Sequence, residues 1–162
     1  MDNTSQTLEE LAVSTRFPKV HNDWRTYLGN TIKKHRETPM KWGEFDCIVW
    51  ATTCIQATTG KDLYAPFRGK YDSVLGAAKV LLKEAESLSS LCEKYLGEPK
   101  HIAFANTGDI VTVGLNRVNQ AGEYNVVFNC ALGVAYGGLA YFVGEEGLVT
   151  YPLLEMDYCY HV

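Results

Sequence analysis

The sequence predicts an α+β domain, with helices in its first half and an antiparallel sheet in its second half. From Trp24 to about Leu96, apolar residues recur every three or four positions, which is typical of helices. After Pro99 this periodicity gives way to short apolar, β-branched or aromatic runs separated by glycines, which is typical of strands. A chain of 162 residues suffices for one domain with a hydrophobic core. We expect an N-terminal arm over residues 1–20 and a single domain over residues 21–162.

Two helices with clear ends are predicted first. The first ends before Pro39, because the residue that precedes a proline disfavours the helical conformation. The second begins at Asp46 or Cys47 and runs to Thr59, where Gly60 supplies a left-handed cap. The apolar face of the first helix is formed by Trp24, Leu28 and Ile32.

Two shorter helices are predicted to follow a connecting segment. The third helix is capped by Asp72 or Ser73, and the fourth runs from about Ser87 to Leu96 and is stopped by Gly97. The third helix carries the apolar residues Leu75, Ala78, Leu81 and Leu82.

Five strands are predicted in the second half of the chain. Each is a run of apolar, β-branched or aromatic residues, and the turns between them contain glycine. The runs span residues 110–115, 124–135, 139–143, 148–153 and 156–161. Helices packed on an antiparallel sheet are the architecture that follows.

Charge and hydropathy exclude several classes of protein. The formal net charge is −4 and the isoelectric point is about 5.5, which argues against a nucleic-acid-binding protein. No apolar run of about 18 residues is present, so no membrane span is predicted. Residues 1–15 are polar and acidic and lack the pattern of a signal peptide, so we expect synthesis in a cytosol without export by the usual route.

The cysteines and histidines give no pattern of a disulfide framework or a metal site. The number of cysteines is odd, their spacing is wide, and no C-x-x-C pair occurs. The histidines lie far apart in sequence. We therefore predict no metal and no cofactor, with most thiols acting as small buried apolar groups. The residues concerned are Cys47, Cys54, Cys92, Cys130 and Cys159, with His21, His35, His101 and His161.

One segment has the character of a catalytic site. Trp42-Gly43-x-x-Asp46-Cys47 leads through a tight loop into the second helix. Backbone N–H groups at a helix N-terminus favour an anion, so Cys47 is a candidate nucleophile and the same groups are candidates for binding an oxyanion. Asp46 is placed as the helix cap. The alternative is that Cys47 is a small core residue and that Asp46 only caps the helix.

The same segment resembles the NlpC-type cell-wall peptidases, in which W-G-G, a short loop and D-C-S mark the nucleophile. Two later segments resemble that family in the same order along the chain. The resemblance covers roughly residues 22–162 and implies a papain-like fold with Cys47 as the nucleophile. The later segments are Gly108-Asp109-Ile110-Val111 and Ala131-Leu132-Gly133-Val134-Ala135-Tyr136-Gly137.

A divergent branch of this superfamily, found among tail genes of bacteriophages, is similar in further motifs. This resemblance implies a virion tail protein that is made in the host bacterial cytoplasm and assembles, in several copies, with other tail proteins. The additional motifs are Thr59-Gly60-x-Asp62, Phe67-Arg68-Gly69-x-Tyr71 and Leu132-Gly133-Val134.

Two departures from the family pattern concern the chemistry. Ile48 stands where the family has a serine after the cysteine, and Ala131 stands where it has the histidine that serves as the base. An alanine can neither accept nor donate a proton. His101 is a candidate base if a loop brings it to Cys47, and a surface histidine is the alternative interpretation.

Three functions remain open at this stage. The first is a structural or assembly component of a bacteriophage tail on a degenerate NlpC-like fold, with impaired catalysis. The second is an active cysteine hydrolase, a peptidoglycan endopeptidase or amidase that aids cell-wall penetration with Cys47 as the nucleophile. The third is a stand-alone host binding protein. A fold by itself does not decide among them.

Overall fold

The computed structural model of the protein describes residues 17–115 and 128–162. Within these residues, α-helices in the first half precede an antiparallel sheet, which confirms the predicted α+β class. The helices are α1 (Trp24–His35), α2 (Cys47–Thr59), α3 (Val74–Leu81) and α4 (Leu88–Leu96). The strands are β1 (Lys100–His101), β2 (Ile110–Val113), β3 (Ala131–Tyr136), β4 (Leu139–Val143), β5 (Leu148–Pro152) and β6 (Tyr158–Tyr160). Short 3₁₀ helices span Ile102–Phe104 and Leu153–Glu155.

The six strands form one sheet in the order β1-β6-β2-β3-β4-β5. Strands β2 to β5 are arranged as a meander of antiparallel neighbours, whereas β6 returns to the free edge of β2. Val111 therefore pairs with Gly133 on one side and with Cys159 on the other. The last strand of the chain thus lies inside the sheet, between β1 and β2.

The predicted helix ends are confirmed. Asp46 caps α2, and Gly60 follows its last residue with φ of +73°, a left-handed conformation that glycine adopts without strain. Ser73 caps α3 and Ser87 caps α4 through bonds from backbone N–H groups to their side-chain oxygens. Helix α1 ends at His35, before Pro39.

The apolar residues expected on α3 are only partly buried. Val74, Ala77 and Leu81 are buried, whereas Leu75 is 63% exposed. Both sets of residues form apolar stripes at helical spacing on an eight-residue helix. Only packing against the rest of the domain selects the stripe that starts at Val74.

Strand boundaries differ from the predictions in two places. The strand predicted over residues 124–135 begins at Ala131 within the described residues, since residues 128–130 do not pair with a neighbouring strand. Residues 124–127 lie outside the described residues. The exposed two-residue strand β1 was not predicted. Of the predicted arm, residues 1–16 also lie outside the described residues, whereas the Val20 N–H donates to the Thr58 carbonyl oxygen at 3.1 Å.

Helices cover one face of the sheet, which we call the helix face. The Tyr160 hydroxyl donates to the Ser89 carbonyl oxygen of α4, and Leu132 lines a cavity together with residues of α2. Ile110 pairs with Tyr160 on one side and with Val134 on the other, and Leu132 is two residues from Val134. The side chains of Tyr160 and Leu132 therefore lie on the same face of the sheet.

The alternate residues point to the opposite side, which we call the second face. It carries Val111, Ala131 and Gly133, all fully or almost fully enclosed, and the ring of Phe142 lies directly over Gly133. Both faces of the central strands are therefore buried. Within the described ranges, no helix combines the length and apolar character needed to cross a bilayer.

Candidate functional site

The loop before α2 is held in a shape that requires glycine at position 43. Lys41 and Phe45 exchange two backbone hydrogen bonds of 3.0 and 2.7 Å, which close the loop. Gly43 has φ of +81°, and a Cβ added there would lie 2.1 Å from the Tyr71 carbonyl oxygen. A side chain at this position would displace the segment that contains Tyr71.

Asp46 is fully buried and organises both the loop and the helix start. Its Oδ1 accepts hydrogen bonds from the N–H groups of Ile48 at 2.9 Å and Val49 at 3.0 Å. Its Oδ2 accepts from the Gly43 N–H at 3.0 Å and from the Tyr71 hydroxyl at 2.9 Å. These four bonds make the carboxylate a structural centre as well as the helix cap.

A tyrosine pair extends the contacts of Asp46. Burial, and then the negative charge of Asp46, raise the pKa of Tyr71 far above its usual range, so this hydroxyl keeps the proton that it donates to the carboxylate. Burial also raises the pKa of Tyr64, whose hydroxyl donates to the Gly43 carbonyl oxygen at 3.4 Å. The Gly43 N–H therefore donates to Asp46, and the Gly43 carbonyl oxygen accepts from Tyr64.

Cys47 is the first residue of α2, as the resemblance implies for a nucleophile, but it is only 1% exposed. The N–H groups of Ile48 and Val49, which follow it, donate to the Asp46 carboxylate. A buried anion of the protein therefore already binds the amides that a substrate oxyanion would need. Acyl transfer at this thiol would require the surrounding loop to open.

The strand position that corresponds to the family's histidine does not point towards α2. Ala131 pairs with Val113 and lies on the second face of the sheet, whereas its neighbour Leu132 lies on the helix face with α2. Ala131 is completely buried. Even a histidine at this position would be directed away from the helix that begins with Cys47.

The histidines other than His161 have contacts in other parts of the fold. His101 lies on the exposed edge strand β1, three strands away from β3, and its Nδ1 accepts the Ala103 N–H at 3.1 Å. His35 stacks on Phe45 with ring centroids 4.9 Å apart, and His21 stacks on Tyr27 at 4.3 Å. The position of His101 gives no support to its candidacy as the base.

The other motifs of the resemblance also have structural roles. Arg68 and Asp62 form two hydrogen bonds of 2.8 and 3.0 Å, and the bond from Arg68 lowers the pKa of the Asp62 carboxyl. This ion pair joins the turn after Gly60 to the segment that delivers Tyr71 to Asp46. The pair is partly exposed, so its contribution to stability is small.

A second cluster of reactive side chains, which the sequence analysis did not connect, lies beside β6. The His161 Nδ1 is 2.8 Å from Asp109 Oδ2, and one ligand atom each of Asp109, Cys159 and His161 lies within 4.8 Å of the others. Burial and the Asp109 charge raise the pKa of Cys159 to about 11, and burial raises the pKa of Asp109 despite its hydrogen bonds. The available signal was the C-x-H spacing, which puts two side chains on one face of a strand.

Among the described residues, an apolar cavity and two grooves adjoin the helices, and Cys47 is not among the residues that line these three. The first, of about 50 Å³, is apolar and lies between α2 and α4. Two wider grooves, of about 230 and 350 Å³, share Ile32, Arg36 and Tyr141 and run between α1 and strands β3 to β5. The first cavity adjoins Ile48, the residue that follows Cys47, whereas the two grooves lie on the side of α1.

Comparison with known families gives one match. Residues 19–162 match the model of a domain of unknown function, DUF6950. The chain belongs to this family. The DUF6950 match includes the loop before α2 and the cluster beside β6, and it starts at Lys19, whose ammonium donates to the Val162 carbonyl oxygen at 2.6 Å. No curated protein and no solved structure matches the chain.

Proposed function

We propose that this protein is a structural component of a bacteriophage tail, built on an NlpC-like, papain-like fold whose catalytic function is impaired. The virion context comes from the sequence resemblance to the tail-associated branch of that superfamily. The helices packed on an antiparallel sheet are compatible with such a fold. Neighbouring tail proteins are the partners that this proposal implies.

The observation that carries the proposal is that Gly43 and Asp46 of the Trp42-Gly43-x-x-Asp46-Cys47 motif both have structural roles. Gly43 is required by its left-handed backbone and by the approach of the Tyr71 carbonyl oxygen. Both carboxylate oxygens of Asp46 accept hydrogen bonds from groups of the protein. Such a motif preserves the fold of a peptidase ancestor without depending on catalysis.

Three features support impaired catalysis. Cys47 is 1% exposed, so a substrate carbonyl cannot reach its sulfur in this conformation. The first amides of α2 that follow it are bound by Asp46. Ala131 replaces the family's histidine and faces away from the helix, so proton transfer to a leaving amine lacks the expected donor.

Exposed apolar side chains support a role in protein contacts. Phe104 is 67% exposed, and Leu154 is 73% exposed, on two 3₁₀ helices that pack against each other. Tyr158, on the neighbouring part of β6, is 54% exposed. Contiguous exposed apolar patches, rather than single side chains, are typical of contacts with other proteins.

A genetic complementation test distinguishes assembly from hydrolysis. In a phage in which the gene for this chain is interrupted, we expect particles without functional tails, and we expect the parent chain and Cys47→Ala to restore plaque formation equally. The chain should also be found by mass spectrometry in purified tails. Rescue by the parent but not by Cys47→Ala, with equal amounts of folded protein, would contradict the structural role.

Hydrolysis of purified peptidoglycan provides the direct chemical test. We expect the parent and Cys47→Ala to release no soluble fragments, with an unrelated active peptidoglycan hydrolase as the positive control. We also expect slow reaction of all five thiols with a thiol reagent in the native state, since all five are buried.

The alternative function is an active cysteine hydrolase that cuts peptidoglycan. Its support is the position of Cys47 at the first residue of a helix. Fragment release that is lost in Cys47→Ala, together with one rapidly reacting thiol, would establish this alternative and overturn the proposed impairment.

A further inference from the structure

We propose that Asp109, Cys159 and His161 form a binding site for one divalent transition-metal ion of the zinc type. The site does not depend on the function proposed above, because it involves neither Cys47 nor the loop before α2. It lies at the end of the sheet where β6 and β2 are neighbours.

The sheet register brings the three side chains together. Ile110 pairs with Tyr160, and Val111 pairs with Cys159, so continuation of the same antiparallel register sets Asp109 opposite His161. Cys159 lies in β6 and His161 directly follows its last residue, and a spacing of two residues in extended backbone puts both side chains on one face. One ligand atom from each of the three residues lies within 4.8 Å of the other two.

The distances suit convergence on one ion better than a catalytic relay. In a relay, the acid and the sulfur bond to opposite edges of the imidazole and stand more than about 6 Å apart. Here the sulfur and the carboxylate oxygen lie within 4.8 Å of each other as well as of the ring nitrogen. Ligand atoms around a tetrahedral zinc ion are separated by about 3.3–3.5 Å. The sulfur would therefore approach by no more than about 1.5 Å, whereas His161 Nδ1 and Asp109 Oδ2, now hydrogen-bonded at 2.8 Å, would separate by about 0.5 Å to admit the ion.

The donor set selects the class of metal. One thiolate sulfur, one imidazole nitrogen and one carboxylate oxygen are ligands that zinc and its neighbours in the first transition row prefer, whereas magnesium and calcium prefer oxygen alone. In the structure, the Cys159 thiol donates to the His101 carbonyl oxygen, with 3.6 Å between sulfur and oxygen. A bound metal ion would replace the thiol proton, which is released to solvent. A water molecule would complete the coordination.

The surroundings orient the carboxylate and leave a path for the ion. The Asn106 N–H donates to Asp109 Oδ2 at 2.8 Å, and the Val162 N–H donates to Oδ1 at 3.2 Å, as in the outer shell of many metal sites. The Asp109 side chain is 3% exposed, and the His161 side chain is 30% exposed. Solvent therefore reaches the cluster from the histidine side.

Two neighbouring cations oppose the binding of a metal ion, Lys19 beside Asp109 and Lys100, whose charge acts on Cys159. The Lys19 ammonium interacts electrostatically with Asp109 and is held by the Val162 carbonyl oxygen at 2.6 Å. Its charge lowers the affinity, so Lys19→Gln is expected to strengthen metal binding. This variant tests whether the ion binds at this end of the sheet.

Titration of the full chain with Co²⁺ tests the site, because a Co²⁺–thiolate bond gives a charge-transfer absorption that a thiol alone does not. We expect one equivalent to bind with this absorption and Zn²⁺ to displace it. Cys159→Ser should abolish the band, and His161→Gln should weaken binding by about tenfold or more. Cys92→Ser, which removes another buried thiol, is the matched control and should keep the band.

Thermal unfolding gives a second measurement. Excess Zn²⁺ should raise the melting temperature of the parent and of Cys92→Ser, and it should raise that of His161→Gln by less at the same Zn²⁺ concentration. The proposal is overturned if the parent shows no charge-transfer band, or if the band survives in Cys159→Ser. If Cys159→Ser does not fold, the partly exposed His161→Gln decides, since undiminished Co²⁺ binding by that variant contradicts the site.

Discussion

At the scale of single residues, Asp46 concentrates the largest number of buried hydrogen bonds in the loop before α2. It accepts three backbone N–H groups and the Tyr71 hydroxyl. Cys47, beside it, is buried in the same region. Asp46 and Cys47, which are adjacent in sequence, thus have different roles. The aspartate organises the local fold, whereas the thiol is buried within that fold.

Replacement of Asp46 should therefore destabilise the protein. We expect Asp46→Ala to lower the free energy of unfolding by about 3 kcal/mol or more, because it removes the cap and leaves buried donors without an acceptor. Tyr71→Phe should cost about 1 kcal/mol, since it removes one of the four bonds. Urea unfolding measures both variants. The double variant should cost less than the sum, and strict additivity would contradict the coupling.

His35 should make stability depend on pH. Burial and the Lys34 charge lower the pKa of His35 below its ordinary value of 6.5, so the unfolded chain binds the proton more readily than the folded chain. This stability is present above the unfolded pKa and is lost as the pH falls below it. Urea unfolding of the parent at about pH 7.5 and about pH 5.5 should show a decrease that is smaller in His35→Phe. An equal decrease in both would contradict this assignment.

At the scale of the elements, the close packing of β3 against β4 explains a glycine within a strand. A Cβ at position 133 would lie 2.6 to 2.9 Å from three atoms of the Phe142 ring. Phe142 is fully buried, and it meets the Tyr151 ring edge-on at 5.6 Å. The ring cannot move aside without disturbing this second contact.

Gly133→Ala should consequently destabilise the sheet by about 1–3 kcal/mol through overpacking. Phe142→Leu in the same chain should recover part of that loss, because a leucine leaves space over position 133. Thermal or urea unfolding of the two single variants and the double variant provides the measurement. A double variant as unstable as the sum of the two would show that the ring is not the obstacle.

At the scale of the whole molecule, the insertion of β6 between β1 and β2 connects the end of the chain to its centre. It places His161 opposite Asp109, and the Val162 carbonyl oxygen accepts the Lys19 ammonium. Contacts between residues more than 50 positions apart in sequence therefore hold the cluster together. Such contacts depend on the strand order, which no local pattern specifies.

Local sequence patterns were sufficient to predict the α+β class, the limits of α2, the approximate limits of α4 and, to within one residue, the cap of α3. These features follow from local rules, since Asp46, Ser73 and Ser87 bond to amides two or three residues away and Gly60 needs only its own backbone freedom. The two-residue strand β1 escaped prediction because a short exposed edge carries no apolar periodicity.

Only the tertiary structure decided which face of each element is buried and which distant side chains meet. Leu75 and Val74 begin equally apolar stripes, and packing alone buried the second. The direction of Ala131 depends on which face of β3 receives α2, and the meeting of Asp109, Cys159 and His161 depends on the pairing of β6 with β2. Strand register is a non-local property, because it is set by the pairing of strands that are distant in sequence. A shift of one residue in that pairing would turn every side chain of the strand to the other face.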